Sequence, residues 1–479
     1  MKIALIGAGS VIWTRCLMMD ILSFPELRDS TLALMDVDPV RLDTSRKTVE
    51  RLVAQVAAPA RVEASLDRRQ AVAGADYVIF AVQVGMHAAT LKDFEIPKRY
   101  GLRQTIADTL GVGGIFRGLR TIPVLLDLLR DMEAVCPDAL LLNYVNPMAI
   151  LCLAAARASS IKSVGLCHSV QGTAQQLARY AGVPDEEVGY RVAGINHMAW
   201  FLEFTHRGRD AYPQLWRAMA DPAVYAQDKV RFEMLRRTGY FVTESSEHMA
   251  EYVPYFLKRE DLVRRFDIPL DEYIRRSEQN QQIFEQTRQE VERGEPIEMR
   301  RSHEYAAYII RAIEANADWS FNGNVPNSPD GRTAALIPNL PADAVVEVPC
   351  LVNGAGVLPC HAGALPAHLA GLNRSHVTVH QLAVEAALTG SRDALYHAVM
   401  LDPHTASVLS LDEIWALTDD LIEAHGPALP DLTPRRLAGA PGRPPAHAAV
   451  AATGGAPSAN GHGGAAAAAG QARAAAAAN

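Results

Sequence analysis

The sequence predicts an α/β fold: a doubly wound parallel sheet over residues 1–192, then a second, mixed α/β domain over 193–433. Three observations carry this. Short apolar runs alternate with helix-spaced segments through the first part of the chain, a rhythm that puts parallel strands inside and helices on both faces. The first apolar run, residues 2–6, enters a glycine turn, Gly7-Ala8-Gly9-Ser10. Beyond about Arg191 the segments lengthen, lose their regularity and become richer in aromatic and charged residues.

Strands are expected over 2–6, 31–35, 76–82, 139–145 and 162–166, with helices over 11–22, 39–56, 119–135 and 148–158. In the second helix Leu42, Val49, Leu52 and Val53 recur at helical spacing. In the second domain, 275–292 reads as a polar surface helix and 305–315 as a partly buried one. Residues 434–479 are Ala, Gly and Pro with few large side chains, and carry arginines but no acid. Such a segment buries too little apolar area to offset chain entropy, so a disordered tail is expected.

Composition narrows the function classes. The chain has 479 residues, 49% hydrophobic and 21% charged, ordinary for a globular protein able to bury a large core. Its net charge of −8 argues against a nucleic-acid binder, which needs a concentrated basic surface. No apolar stretch approaches the ~20 residues that span a bilayer, and the N-terminus lacks the features of a signal peptide. A cytoplasmic protein without a membrane partner is expected, with its six cysteines as free thiols.

Several motifs could carry chemistry. Gly7, Gly9 and Ser10 lie between the first strand and helix, where the backbone can approach a diphosphate and a helix N-terminus favours its charge. Asp36 ends the second strand, where a carboxylate can accept both ribose hydroxyls and so select NAD over NADP. The third glycine of the fingerprint is absent; Ile12 and Trp13 occupy that stretch. Asn146, in Asn143-Tyr144-Val145-Asn146-Pro147, follows a buried strand and points where nicotinamide or substrate would lie, or caps the next helix. Cys167 and His197, in Gly165-Leu166-Cys167-His168-Ser169 and Gly194-Ile195-Asn196-His197-Met198, can together hold a divalent ion, or be a core thiol and a satisfied imidazole. His168 can serve as a general acid or a helix cap. Residues 107–114, ahead of Arg117 and Arg120, read as a loop closing over a cofactor, or as a flexible turn with solvated arginines. Residues 243–252 are dense in titratable side chains, a pattern that suits proton transfer but equally an exposed helix, the reading favoured for the segment alone.

Taken together, these motifs resemble glycoside hydrolase family 4, and within it the members that cleave α-galactosides. The resemblance runs from about 2 to 432 and is strongest at 106–114, 143–149, 165–174, 193–199, 239–252 and 402–406. It implies a Rossmann-like domain, lactate/malate dehydrogenase-like overall, with tightly bound NAD and a divalent metal, usually manganese. It makes Cys167 and His197 metal ligands and puts Asn146 on the substrate hydroxyls. A tyrosine serves as base, with Tyr252 the first candidate and Tyr255 the second. His168 stands where some relatives carry an aspartate proposed as the acid, and His303 where close relatives are expected to carry arginine. The implied reaction departs from the usual two-carboxylate glycosidase. The sugar is oxidised at C3, its C2 proton is removed, the C1 aglycone is eliminated, water adds, and the ketone is reduced again. An α-galactoside of the melibiose type is the expected substrate, with an α-glucoside or α-glycuronide as alternatives, and a homodimer or homotetramer as the expected assembly. The rival outside the family is an NAD-dependent 2-hydroxy acid dehydrogenase. That enzyme needs an arginine for the substrate carboxylate and an Asp–His pair but no metal, so the Cys167–His197 pairing and the long second domain weigh against it.

Overall fold

The computed structural model describes residues 1–437 except 296, 330, 332 and 333; residues 438–479, most of the expected disordered tail, lie outside the described residues. Six strands, β1 (Lys2–Ile6), β2 (Thr31–Met35), β3 (Arg61–Ser65), β4 (Tyr77–Phe80), β5 (Leu140–Asn143) and β6 (Ser163–Leu166), pair in parallel in the order β3-β2-β1-β4-β5-β6. This is the doubly wound order, which reverses direction at β1 and β4 and opens a ligand crevice at the carboxyl ends there. Alternation along β1 explains the continuous apolar run. Ile3 and Leu5 pack with α1 (Val11–Ser23) and α2 (Pro39–Gln55), while Ala4 and Ile6 join the core on the opposite face.

That opposite face is covered by α3 (Arg68–Val72), α4 (Met86–Arg99), α5 (Gly111–Val135) and α6 (Met148–Ala158). Two elements here, β3 and α4, were not foreseen from the sequence. β3 is an edge strand, Arg-Val-Glu-Ala-Ser, with no buried residue; its charges guard the open edge. α4 contains Pro97 near its C-terminal end.

The structure corrects the expected start of the helix over 119–135. It begins eight residues earlier, at Gly111, so the glycines belong to a buried first turn. A Cβ on Gly113 would lie 2.5 Å from the Ala107 carbonyl oxygen, and one on Gly114 2.6 Å from the Thr109 carbonyl carbon. The glycines allow helix and preceding loop to pack backbone on backbone. Arg117 and Arg120 are accordingly buried, not solvated. Arg120, 2% exposed, grips Asp93 with both terminal nitrogens at 3.1 and 2.6 Å, and His425 contacts the same carboxylate at 3.0 Å. A buried carboxylate persists only with such partners.

After α7 (Ser169–Ala181) the chain extends the same sheet. β7 (Val188–Ile195), β8 (Met198–His206), β9 (Arg209–Asp210), β10 (Phe241–Val242), β11 (Trp319–Pro326), β12 (Val345–Asn353) and β13 (Gly356–Pro359) form an antiparallel wing. It joins the parallel part where β11 runs antiparallel to β6. Among the described residues, no helix is long and apolar enough to cross a membrane.

Candidate active site

The carboxyl end of β6, where the sheet changes from parallel to antiparallel, gathers the chemistry-bearing residues. Cys167 leaves β6 just ahead of α7, and His197 occupies the two-residue turn joining β7 to β8. Glu244 follows β10 and precedes the helix Ser246–Tyr252. One ligand atom from each of the three lies within 4.8 Å of the others, and Cys167 Sγ is 3.2 Å from His197 Nε2. His197 and Glu244 take φ values of +61° and +76°. Side chains in this left-handed region cost about 1–3 kcal/mol, sustained only where the surroundings fix them, as at functional sites.

The donor set fits a divalent ion: a thiolate, an imidazole and a carboxylate bind first-row metals and leave coordination positions for substrate oxygens. Hydrogen bonding aims His197 correctly. Its Nδ1 faces Thr109 Oγ1 at 3.2 Å and the Tyr252 hydroxyl at 3.1 Å, which leaves Nε2 for an ion. Among the described residues, several buried polar atoms close by in the sequence or the sheet have no hydrogen-bond partner: both side-chain atoms of Asn196, the Ser169 hydroxyl, Asn324 Oδ1 and Glu347 Oε2. Buried polar groups without partners mark places completed by solvent, an ion or a ligand.

Electrostatics at the site follow from burial and close charges. Burial pushes the Cys167 thiol up to about 12, with the Glu347 carboxylate adding, so a thiolate there needs a cation beside it. Burial would raise Glu244, but the imidazoles of His248, His197 and His168 outweigh it and hold the carboxylate at about 2. Burial would lower His168, but a 3.1 Å contact from its Nδ1 to Glu304 lifts it to about 9. Tyr252 is held well above the ordinary phenol range by burial, with Asp108, Glu251 and Glu244 adding.

The remaining candidates fall into place around this cluster. Asn146 Nδ2 donates to Asp108 Oδ2 at 3.2 Å, and Arg117 Nε donates to the Asn146 carbonyl at 3.0 Å. Asn146 does not cap the next helix; Pro147 holds that position and no side chain caps it. Nor does the His168 side chain cap α7. Tyr255 is 49% exposed and lines a surface cavity with Phe256 and Arg265, apart from the cluster, which leaves Tyr252 as the tyrosine at the site. His303 is exposed.

At the carboxyl end of β1, Gly7 has φ +95°, and a Cβ there would lie 2.3 Å from the Ala81 carbonyl oxygen. Gly9 N donates to Asp36 Oδ2 at 2.8 Å, and Asp38 N donates to Oδ1 at 2.9 Å. Asp36 is therefore oriented beside the glycine turn, with lone pairs left for a ribose. Ser10 precedes α1 without capping it by its side chain, so the positive helix end faces the turn as a dinucleotide diphosphate requires.

Sequence reasoning passed over Glu244, His248 and Glu251 as parts of a surface helix. The helix Ser246–Tyr252 is instead buried along its last five residues, and Glu251 accepts the backbone N–H groups of Thr105, Ile106 and Ala107. The density of titratable groups over 243–252 was the available signal; no spacing within it reveals burial. Asp108 and Glu304 carried no signal of their own.

Comparison with known proteins bears on the whole arrangement. The model of the family 4 glycosyl hydrolases matches residues 2–183, and that of their C-terminal domain matches 192–405. The chain is 46% identical over 434 residues to an α-galactosidase of Bacillus subtilis (strain 168), covering 90% of this chain and 99% of that one. It is 39% identical over 443 residues to an α-galactosidase of Rhizobium meliloti (strain 1021), covering 90% and 89%. A solved 6-phospho-alpha-glucosidase from gut microorganisms, in complex with NAD and Mn2+, shares the fold with a TM-score of 0.77 at 21% identity, over 90% of this chain and 99% of that one. With both family models matched in order along one continuous sheet, the chain belongs to glycosyl hydrolase family 4.

Proposed function

We propose that this chain hydrolyses α-galactosides by oxidation at C3 and elimination across C1–C2, using NAD and a divalent ion. The observation that carries the reading is the convergence of Cys167, His197 and Glu244 beside Tyr252, at the end of a sheet whose first turn suits a dinucleotide. The choice of sugar is supported by the two α-galactosidase relatives. When bound, NAD takes and returns a hydride at C3 while the ion polarises the C3 oxygen, which makes the C2 hydrogen acidic.

The residues divide the work. The turn Gly7–Ser10 and the N-terminus of α1 receive the diphosphate, and Asp36 accepts the ribose hydroxyls. Cys167, His197 and Glu244 hold the ion, and Asn146 orients substrate hydroxyls. If Nε2 of His197 held the ion, Nδ1 would carry the proton and could donate to the Tyr252 oxygen, 3.1 Å away. That bond favours the phenolate, offsets the burial of Tyr252, and lets its oxygen take the C2 proton. His168, its Nδ1 turned to Glu304, presents Nε2 as the proton donor to the departing C1 oxygen. In this reading residues 1–192 chiefly hold the cofactor and 193–433 complete the metal and sugar site. The family resemblance supports a homo-oligomer in the cytoplasm.

A panel of nitrophenyl glycosides, assayed with NAD, Mn2+ and a reductant, tests the assignment. The α-galactoside should be the preferred substrate, and withdrawing either cofactor should abolish turnover. Full turnover in protein stripped of both, with chelator present, contradicts it. Asp36→Ala should raise the NAD dissociation constant at least tenfold in a fluorescence titration, since charge-assisted hydrogen bonds contribute about 1.5–3 kcal/mol each and ~1.4 kcal/mol is a factor of ten.

A further inference from the structure

We propose that Glu304 is the carboxylate that orients His168 for proton transfer to the leaving group, and that Asp20, on the buried face of α1, positions Glu304. The inference rests on the reading of His168 as the acid. It assigns roles to two residues that stand far apart in sequence from each other and from His168.

His168 follows the metal-cluster cysteine, so its backbone is fixed by β6 and α7, while the direction of its ring depends on what its nitrogens meet. Among the described residues, the contact that sets the ring is Nδ1 to Glu304 Oε1 at 3.1 Å. Glu304 precedes the helix Tyr305–Glu314, at the end of an irregular strap over residues 297–304. An irregular segment holds a side chain in place only if its backbone is tied down, and this one is tied at Ile297, Ser302, His303 and Glu304.

Gln55 brackets Ile297, donating to its carbonyl at 2.7 Å and accepting from its N–H at 3.3 Å. Arg301 donates to the Ser23 hydroxyl at 2.8 Å and lies 4.0 Å over the Phe24 ring. Gln171, on α7, donates to the His303 carbonyl. Ala306 N donates to the Tyr144 hydroxyl at 2.9 Å.

The tie that reaches the Glu304 backbone starts from a fully buried carboxylate. Asp20 is fully buried and accepts both the Ser302 N–H, at 2.7 Å, and the Ser302 hydroxyl. Ser302 Oγ in turn accepts the Glu304 N–H at 3.1 Å. A buried carboxylate is costly unless its hydrogen bonds are made, and here both go to one residue of the strap. The chain of contacts runs Asp20, Ser302, Glu304, His168. It starts on the helix whose N-terminus faces the dinucleotide turn and ends at the acid. A strap needing only to stay folded has its other ties for that purpose; the Asp20–Ser302 link is the one that reaches the Glu304 backbone.

The test compares leaving groups. A nitrophenolate departs with little help from an acid, whereas a methoxide needs its proton, so loss of a positioned acid falls mainly on the methyl glycoside. Glu304→Ala and Asp20→Ala should lower the ratio of kcat on methyl α-galactoside to kcat on nitrophenyl α-galactoside by roughly 30-fold, less than the 10²–10⁴ that a positioned acid contributes, because His168 itself remains. Glu304→Gln, which keeps an acceptor oxygen, should recover part of the ratio. Ser302→Ala breaks the same link at a smaller site should Asp20→Ala fold poorly. A second readout needs no turnover. The Nδ1 proton of His168, shifted to low field by its carboxylate partner and assigned with His168→Gln, should vanish from the proton spectrum of Glu304→Ala and Ser302→Ala. Equal losses on both substrates, or persistence of that resonance, would overturn the proposal. If wild type turns over neither substrate, the α-galactoside reading fails while the resonance still decides the Glu304 link.

Discussion

Cys167→Ser and His197→Ala should each weaken Mn2+ binding by more than about 100-fold and lower turnover by roughly 10³-fold. Losing a hydrogen-bonding partner around a metal typically costs 10–100-fold in affinity, and losing a ligand costs more. The turnover estimate follows from the several kcal/mol by which a bound ion stabilises developing charge, about 4 kcal/mol corresponding to roughly 10³ in rate. Serine in place of Cys167 keeps the volume but removes the group that can become an anion beside a cation, since an alcohol stays neutral where the thiolate would form. Alanine in place of His197 removes the nitrogen 3.2 Å from Cys167 and also the donor to Tyr252. Isothermal titration with Mn2+ and steady-state assays on the same preparations check both numbers, with circular dichroism confirming that the fold persists. Unchanged metal affinity in both variants would make the pair a core thiol and a satisfied imidazole.

Tyr252→Phe isolates the base. The hydroxyl approaches His197 Nδ1 at 3.1 Å, and the ring is buried at the end of its helix. Removing one oxygen leaves that packing in place. Turnover should fall by about 10²–10⁴, the usual contribution of a positioned acid or base, while Mn2+ and NAD affinities change little. A variant with near-normal turnover would show that another group takes the proton.

Much of this site was legible because its parts sit at places that topology fixes. Cys167 follows a strand and His197 fills a tight turn, so their motifs are short and bounded, and the alternating rhythm of the first part of the chain reveals the strands, though not the order that pairs β5 with β6. Asp36 was legible for the same reason, as the residue that follows β2. What stayed hidden depends on burial that no period announces. The segment holding Glu244 and Glu251 reads as polar, yet it is buried because the loop ahead of α5 turns its N–H groups onto Glu251. Gly111–Gly114 read as part of a loop, closing over a cofactor or flexible, because glycine permits both freedom and close approach, and only the neighbouring backbone at Ala107 and Thr109 shows the packed helix start. Arg120 read as solvated because its partners Asp93 and His425 come from distant parts of the chain. Glu304 was silent for the same reason, its link to His168 spanning a separation that sequence spacing does not record.

The central claim is that the glycosidic bond breaks after the sugar has been oxidised, with Tyr252 taking the C2 proton. The direct measurement follows the label in an α-galactoside deuterated at C2, during partial turnover by the NAD- and Mn2+-loaded enzyme in ordinary water. A C2 hydrogen on an unoxidised sugar is far too weakly acidic for a protein base, but next to a C3 carbonyl it exchanges through the base with solvent. The account predicts that the galactose released carries protium at C2, with exchange suppressed in Tyr252→Phe in proportion to the lost rate. Complete retention of deuterium at C2 across a range of buffer concentrations, with normal hydrolysis, would contradict it and point to direct displacement at C1.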